Sequence, residues 1–112
     1  MTVRATDRIR DLNDALRTFG AAAQGQWVMT PGVSMQGPGF VLLATEGVVR
    51  FDTFTPDNDP HGEHDFGAFK IGEQTLFWKI DYYDPTLTYG SDDPSDPAKT
   101  CRVLTIMLAS EY

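Results

Sequence analysis

Two alternating runs around a short turn constrain the fold more than any other part of this sequence. Residues 66–71 and 75–82 flank Gly72-Glu73-Gln74, an arrangement that predicts a β-hairpin. Side chains on a strand alternate between two faces. In the second run, Phe77, Lys79 and Asp81 therefore share one face. The opposite face is apolar and is predicted to be buried: Leu76, Trp78, Ile80 and Tyr82.

The first twenty residues carry a helical pattern. Apolar residues recur there at spacings of three and four, which places them on one stripe of a helix: Ile9, Leu12, Leu16 and Phe19. Asp14 and Arg17 lie off this stripe and are expected to face water. Gly20 fits the position just after the last helical turn, so the helix is predicted to end there.

Local patterns predict four further elements. Residues 26–30 are typical of a strand that stops at the Pro31-Gly32 turn. Residues 40–54 favour a short strand at Phe40-Val41-Leu42-Leu43, followed by a helical segment. Asp96 before Pro97 fits the start of a helix over residues 97–110. Its apolar stripe would consist of Cys101, Leu104, Met107 and Leu108.

Together these elements predict a small α+β protein, a single domain over residues 1–112. In it, an antiparallel β-sheet packs against N-terminal and C-terminal helices. No apolar run approaches the roughly 20 residues that span a bilayer, and the first residues lack the apolar segment of a secretory signal. Cys101 is the single cysteine and cannot form an internal disulfide. These features predict a cytoplasmic protein without a membrane partner.

Charge is distributed unevenly along the chain. The net charge is −7, and residues 51–112 carry twelve acidic side chains against four basic ones. A negative field repels phosphates, so direct binding of nucleic acid is not expected. An acidic surface fits a protein partner with a basic surface instead, although solubility alone also explains such a charge. The oligomeric state is left open by the sequence.

Residues 57–65, named here the acidic loop, bring together both histidines and several carboxylates. Counted from Asp57, Asp59 and His61 fit early ligand positions of a calcium-binding EF-hand loop. However, Ala68 falls where the last, bidentate Glu is required, and the flanks have strand rather than helix character. The EF-hand interpretation therefore fails.

Two chemical hypotheses remain for the loop. His61, Glu63 and His64 offer ligands suited to a divalent transition metal, which would be the only cofactor that the sequence suggests. Alternatively, His64 fits acid–base catalysis, because an imidazole side chain can accept and donate a proton. In that enzyme hypothesis, a hydrolase or nuclease, the candidate catalytic residues are His64, Glu63, Asp65, Lys79 and Asp81. No serine or cysteine nucleophile lies beside them in the sequence.

A purely structural interpretation competes with both hypotheses. Asp and Asn side chains next to Pro and Gly form self-bonded turns, because their oxygens accept backbone N–H groups. Glu63, His64 and Asp65 would then tie strand ends to Lys79 or Tyr82.

Three longer motifs resemble a known family. They occupy residues 58–67 (NDPHGEHDFG), 77–84 (FWKIDYYD) and 100–112, which includes RVLTIMLASEY. On these residues the chain resembles the bacterial proteins grouped as domain of unknown function 3768. The resemblance covers most of the chain and is weakest between Val33 and Arg50. It supplies no activity, but it implies an association with plasmids and an accessory role in a mobile element.

The leading hypothesis is a protein-binding accessory or anti-defence factor of a mobile element rather than an enzyme. The observation behind it is the acidic second half of the chain, which carries no recognisable catalytic motif. The predicted partner-binding residues combine the acidic loop with the outward face of the hairpin: Asp57, Asp59, Asp65, Lys79 and Asp81.

Overall fold

A mixed four-stranded sheet forms the centre of the computed structural model, which describes residues 4–20 and 25–112. The helices and strands in chain order are α1 Ala5–Phe19, β1 Gln26–Met29, α2 Pro31–Ser34, α3 Pro38–Arg50, β2 Phe66–Ile71, β3 Gln74–Tyr83 and β4 Cys101–Leu108. A 3-10 turn at Ala109–Glu111 follows β4. The strand order in the sheet is β1-β4-β3-β2, with β1 parallel to β4 and the other two pairs antiparallel.

The predicted hairpin is confirmed as β2 and β3. Ile71 pairs with Gln74, and Gly72 has a φ of 59°, a left-handed conformation that glycine adopts without steric cost. The alternation along β3 is also confirmed, because Leu76 and Trp78 are fully buried and Ile80 is almost so. The helices supply the rest of the core, chiefly Leu16, Val33, Ala44 and Val48.

The α+β fold class and the N-terminal helix are confirmed, whereas the predicted C-terminal helix is wrong. Residues 101–108 form β4, which lies between β1 and β3. Arg102, Leu104 and Ile106 are buried on one face of this strand. A continuous apolar run satisfies helical and strand periodicity at once, so the neighbouring strands decide its structure. The sheet is consequently mixed rather than antiparallel throughout, because β1 pairs with β4 in parallel.

The short strand predicted at Phe40–Leu43 is also wrong, because α3 begins at Pro38 and runs without interruption to Arg50. Proline at the first helical position needs no N–H partner, which favours a helix start there. Ala44 and Val48 are buried four residues apart, and Phe40, one turn earlier, packs against the same core.

Helix α1 buries only part of the predicted stripe, together with two polar residues. Asn13 and Arg17 are buried together with Ile9 and Leu16, while Phe19 is 71% exposed. The expectation that Arg17 faces water is therefore wrong. Its Nη1 donates to three carbonyl oxygens at the end of α3, those of Val48, Val49 and Phe51, at 3.0, 3.3 and 2.6 Å. A guanidinium here satisfies carbonyls that the end of a helix leaves without intrahelical partners.

Helices α1, α2 and α3 pack on one face of the sheet, where Trp78 and Leu104 lie. Within the described ranges, no helix is both long enough and apolar enough to cross a membrane. The opposite side of the sheet is named here the open face. Its residues alternate with the core positions of the four strands: Gln26, Val28, Phe66, Ala68, Lys70, Thr75, Phe77, Lys79, Asp81, Tyr83, Cys101, Val103, Thr105 and Met107.

Candidate functional site

Asp59 organises the acidic loop from within. Its backbone N–H donates to the carbonyl of Thr55 at 2.8 Å, and its own carbonyl accepts the N–H of Gly62 at 3.1 Å. Its carboxylate Oδ1 accepts the backbone N–H groups of Glu63 and His64, at 3.1 and 3.2 Å. Asp59 is only 8% exposed. Its charge is therefore used to fold the loop, as the structural interpretation of the sequence expects.

The His64 ring is enclosed by α1 and by the segment that precedes the acidic loop. Nδ1 lies 2.9 and 3.1 Å from the two carboxylate oxygens of Asp14, and Nε2 lies 3.7 Å from Oδ2 of Asp59. The ring stacks on Phe54 with centroids 3.7 Å apart and planes within 6°. His64 has a φ of 55°, an uncommon conformation for a residue with a side chain. The contacts with Asp14, Asp59 and Phe54 hold it in that conformation.

Glu63 belongs to a polar network beneath α1. The Tyr82 hydroxyl donates to Oε1 of Glu63 at 2.9 Å and accepts from Nδ2 of Asn13 at 2.7 Å. Nδ2 of Asn13 also donates to the backbone carbonyl of Glu63 at 3.0 Å. Nε of Arg102 donates to Oδ1 of Asn13 at 2.8 Å, and its guanidinium lies over the Tyr82 ring. Burial raises the pKa of Tyr82 and lowers that of Arg102. The network thus joins α1, β3 and β4.

Asp65 completes the loop at the entrance to β2. Its backbone carbonyl accepts the N–H of Ile80 at 2.9 Å, which extends the pairing of β2 with β3. Burial raises the pKa of the Asp65 carboxyl, and the nearby Glu63 and Asp59 carboxylates raise it further. A half-buried carboxylate beside like charges is held at an energetic cost.

Lys79 and Asp81 lie on the open face, as the alternation of β3 predicts. Nζ of Lys79 donates to Oδ2 of Asp81 at 2.7 Å, and both side chains are 37% exposed. This hydrogen bond raises the pKa of Lys79. Aromatic rings adjoin the pair, since Phe66 and Phe77 lie 5.3 Å apart and Tyr112 contacts both edge-on.

The candidate residues therefore divide between two faces of the sheet. His64 and Glu63 contact α1 and Tyr82 on the helix-covered side, whereas Lys79 and Asp81 lie on the open face. The acid–base constellation of His64 with Asp81 that the sequence suggested is not assembled. Instead, both ring nitrogens of His64 face carboxylates, an arrangement that holds the ring in place.

The remaining candidates, Asp57 and His61, are exposed at the surface of the acidic loop. Across residues 4–20 and 25–112, no group of three or more His, Cys, Asp or Glu side chains is arranged to hold a metal ion. A cavity of about 500 Å³ lies elsewhere, between α1, the start of β1 and α3, and its lining includes Phe19, Trp27 and Val49.

The sequence did not identify the α1 residues that hold the loop. Asp14 and Arg17 were expected to face water and Asn13 was given no role, yet each of the three contacts a segment far away in the chain. Polar residues at positions 10, 13, 14 and 17 recur at helical spacings and form a stripe beside the apolar one. This polar stripe was the signal that could have indicated the contacts. Nothing local in the sequence indicates which of the two stripes is buried.

Comparison with known proteins gives one match. A family model described as "Protein of unknown function (DUF3768)" matches residues 29–111. No curated protein and no solved structure matches the chain. The matched span includes the acidic loop and strands β2 to β4, while α1 lies outside it.

Proposed function

The chain belongs to the DUF3768 family of proteins of unknown function, and we propose that it is a small protein-binding module that acts in the cytoplasm through its open face. One observation carries the proposal. Three helices pack on one side of the sheet, whereas the other side presents aromatic and aliphatic side chains around one ion pair. A sheet face of this composition is normally covered by another layer of structure, so a partner protein is its natural complement.

The composition of the open face supports this role. Phe66, Phe77 and Tyr112 form a contiguous aromatic group, and Val28 on the edge strand is 41% exposed. Protein interfaces are enriched in aromatic residues and methionine at their centres and carry polar groups towards the rim. Lys79 and Asp81 supply such polar groups.

The acidic loop contributes less to this surface than its charge suggests. The carboxylate of Asp59 is buried and bonded within the loop, and Asp65 is half-buried. Asp57 is exposed and can add long-range attraction for a basic partner. The proposed contact residues are therefore Lys79, Asp81 and the aromatic group, with Asp57 at a distance.

An accessory or anti-defence role in a mobile element, which the family resemblance implies, would be served by such a module. A protein that blocks a host factor acts through a surface and needs no catalytic group. Both the cellular role and the identity of the partner belong to the proposal.

The experiment is site-specific photo-crosslinking in the organism that encodes the protein. A photoreactive residue replaces Val28 or Ala68, which are exposed on the open face. Matched controls carry it at Leu42 or Leu87, which are exposed on α3 and in the β3–β4 connection. We expect one shared partner protein to be captured from Val28 and Ala68 and not from the controls.

Equal capture from the control positions, or no capture from either open-face position, would overturn the proposal. A second crosslinking experiment uses the variant Lys79→Glu, a change on the open face that leaves the core residues unaltered. We expect it to reduce capture from Ala68, while circular dichroism shows that the fold is retained.

A further inference from the structure

Strand β2 has one backbone edge that no other strand pairs with. It is the outermost strand on its side of the sheet, and only β3 lies beside it. The carbonyl of Asp65 accepts the N–H of Ile80, and antiparallel pairing alternates, so the odd-numbered residues of β2 are bonded to β3. The N–H and C=O groups of Phe66, Ala68 and Lys70 therefore point outward. Within the described part of the chain, no backbone hydrogen bond reaches them.

This edge lacks most of the features that keep an edge strand from pairing with another chain. Such strands are normally protected by proline, by a bulge or by several charged side chains. β2 pairs with β3 through all six of its residues without a bulge, contains no proline and carries one charged side chain, Lys70. Ala68, at its centre, is exposed. The edge is therefore a template for one more strand.

The sequence of β2 is complementary to itself when two copies run antiparallel. A two-fold axis at Ala68 places this residue opposite its own copy and Lys70 opposite Phe66 of the second copy. Every outward-pointing residue then exchanges both of its backbone hydrogen bonds with the second copy. On the open face, Lys70 extends towards the Phe66 ring, a favourable contact of a cation with an aromatic ring. On the helix-covered side, Phe69 is opposite Gly67, so two bulky side chains do not collide.

Helix α3 adds an exposed apolar residue along the same edge. Gly47 of α3 lies directly against the Phe69 ring of β2. Leu43 lies one turn before Gly47 on the same side of the helix, yet it is 52% exposed. Because each α3 lies over its own β2, pairing of two β2 strands brings the two helices side by side. A second copy would then cover Leu43.

The charges of these two elements do not oppose such a contact. The whole chain has a net charge of −7, but β2 and α3 together carry Lys70, Arg50 and Glu46. Their basic side chains therefore outnumber their acidic one. The acidic surplus of the chain belongs to other segments, so the paired elements themselves do not repel each other.

We propose that two copies of this chain associate through the outer edge of β2, as an antiparallel strand pair centred on Ala68. The two sheets then form one continuous sheet. The edge at β1 fits this role less well, because β1 has only four residues. The dimer goes beyond the proposed function, since contact at the edge leaves both open faces uncovered. It places them on the same side of the joined sheet, where one dimer can bind two partner molecules.

Sedimentation equilibrium of the full chain measures the association. We expect the natural chain to show a monomer–dimer equilibrium. Ala68→Pro removes an outward N–H and no bond to β3, and the loss of the bonds at the axis is expected to weaken association by about tenfold or more. Ala68→Lys places two like charges directly opposite each other and is expected to weaken it as well.

Val28→Lys is the matched control. It adds the same charge at an exposed position of the open face, but on β1, at the other edge of the sheet. We expect it to leave association unchanged. Circular dichroism checks that each variant is folded, and Ala68→Lys keeps the test valid if the proline variant unfolds.

Amide hydrogen exchange of the natural chain identifies the edge without any substitution. The amides of Ala68 and Lys70 point outward, so their exchange is expected to slow as the protein concentration rises. The amides of β1 are expected to exchange at the same rate throughout.

A chain that stays monomeric up to millimolar concentration would overturn the proposal, and so would a dimer that neither Ala68 variant weakens. Protection of β1 amides instead of Ala68 and Lys70 would assign the contact to the other edge. Protection of Ala68 and Lys70 in a monomer, only after a different protein is added, would assign the β2 edge to an extended segment of that protein. The proposed function fails separately, on crosslinking from Val28, which lies away from β2.

Discussion

Tyr82 lies where α1, β3 and the acidic loop meet. Its ring packs against the core, and its hydroxyl joins the Asn13 amide to the Glu63 carboxylate. The same ring lies beneath the Arg102 guanidinium. One phenol thus connects parts of the chain that are distant in sequence, which alternation along β3 alone does not reveal.

Removal of this hydroxyl is expected to destabilise the fold. Tyr82→Phe keeps the ring but leaves Oε1 of Glu63 without its Tyr82 donor, which we expect to cost about 1–3 kcal/mol. Urea denaturation measures the change. Tyr89→Phe is the control, because Tyr89 is 73% exposed and its loss of a hydroxyl should leave the midpoint unchanged. Equal midpoints for both variants would show that the network contributes nothing to stability.

Asp65 makes stability depend on pH. Its pKa is raised above the ordinary value of 3.8, first by burial and then by Glu63. The folded state therefore binds this proton more tightly than the unfolded chain does. The resulting stability is fully present below 3.8 and is lost as the pH rises through the raised folded value.

The variant Asp65→Asn removes that dependence. We expect it to be more stable than the natural chain at neutral pH, with a difference that shrinks as the pH falls through the raised folded value towards 3.8. Urea midpoints measured from acidic to neutral pH check this expectation. Asp57→Asn is the control at an exposed position. Its urea midpoint should differ only slightly from that of the natural chain, and this difference should not follow the pH dependence expected for Asp65→Asn. A loss of stability at neutral pH in Asp65→Asn would contradict the argument.

At the scale of elements, the structure of a segment was predictable where one periodicity dominates its sequence. It was not predictable where helical and strand periodicities fit equally well. The β2–β3 hairpin and α1 have one dominant pattern each, and both are confirmed. Residues 101–108 fit a helix and a strand equally well. They form β4 because β1 and β3 offer hydrogen-bonding partners on both sides. The sequence of residues 101–108 does not itself contain that information.

In the candidate site, too, local sequence predicted only the positions that depend on a single element. The outward position of Lys79 and Asp81 follows from alternation within β3, and it is confirmed. The position of His64 depends on its left-handed φ and on Asp14 in another element, so local sequence predicts neither.

Packing between α3 and β2 gives a prediction for Gly47. A Cβ there would lie 2.3 Å from a carbon of the Phe69 ring, so the ring must move. Alanine usually stabilises a helix relative to glycine, but overpacking of this kind costs about 1–3 kcal/mol. We therefore expect Gly47→Ala to lower the urea midpoint.

Gly39→Ala provides the matched control in the same helix. Apart from its chain neighbours and the nearby backbone of its own helix, no heavy atom of the described residues lies within 4 Å of the Cβ position at Gly39. Its midpoint is expected to stay unchanged or to rise slightly. A rise in Gly47→Ala as large as the one in Gly39→Ala would show that α3 and β2 are not tightly packed.

At the scale of the whole molecule, negative charge opposes compactness. Twelve of the sixteen acidic side chains belong to residues 51–112, and the net charge is −7. Repulsion among exposed carboxylates is weakened by salt, because the screening length falls to a few ångströms at about 1 M. We expect sodium chloride to raise the thermal unfolding midpoint.

Thermal unfolding midpoints measured by calorimetry at low and at high sodium chloride concentration, at constant pH, test this expectation. Lys79→Gln is a useful comparison, because it removes one positive charge from the molecule and should increase the dependence on salt. A midpoint that falls with added salt would show that attractive ion pairs, such as that of Arg17 with Asp14, outweigh the repulsion.

The place of β4 in the sheet has a consequence for the order in which the protein can fold during synthesis. β1 is made early, yet its partners Val103 to Ile106 belong to the last strand in chain order. Until β4 leaves the ribosome, β1 has no neighbour and β3 presents an unpaired edge. The hairpin can form before β4 is available, but until then the unpaired edge of β3 in the nascent chain can pair with other chains and aggregate. Shielding of the β3 edge during this interval is therefore expected to raise the fraction of chains that reach the native state.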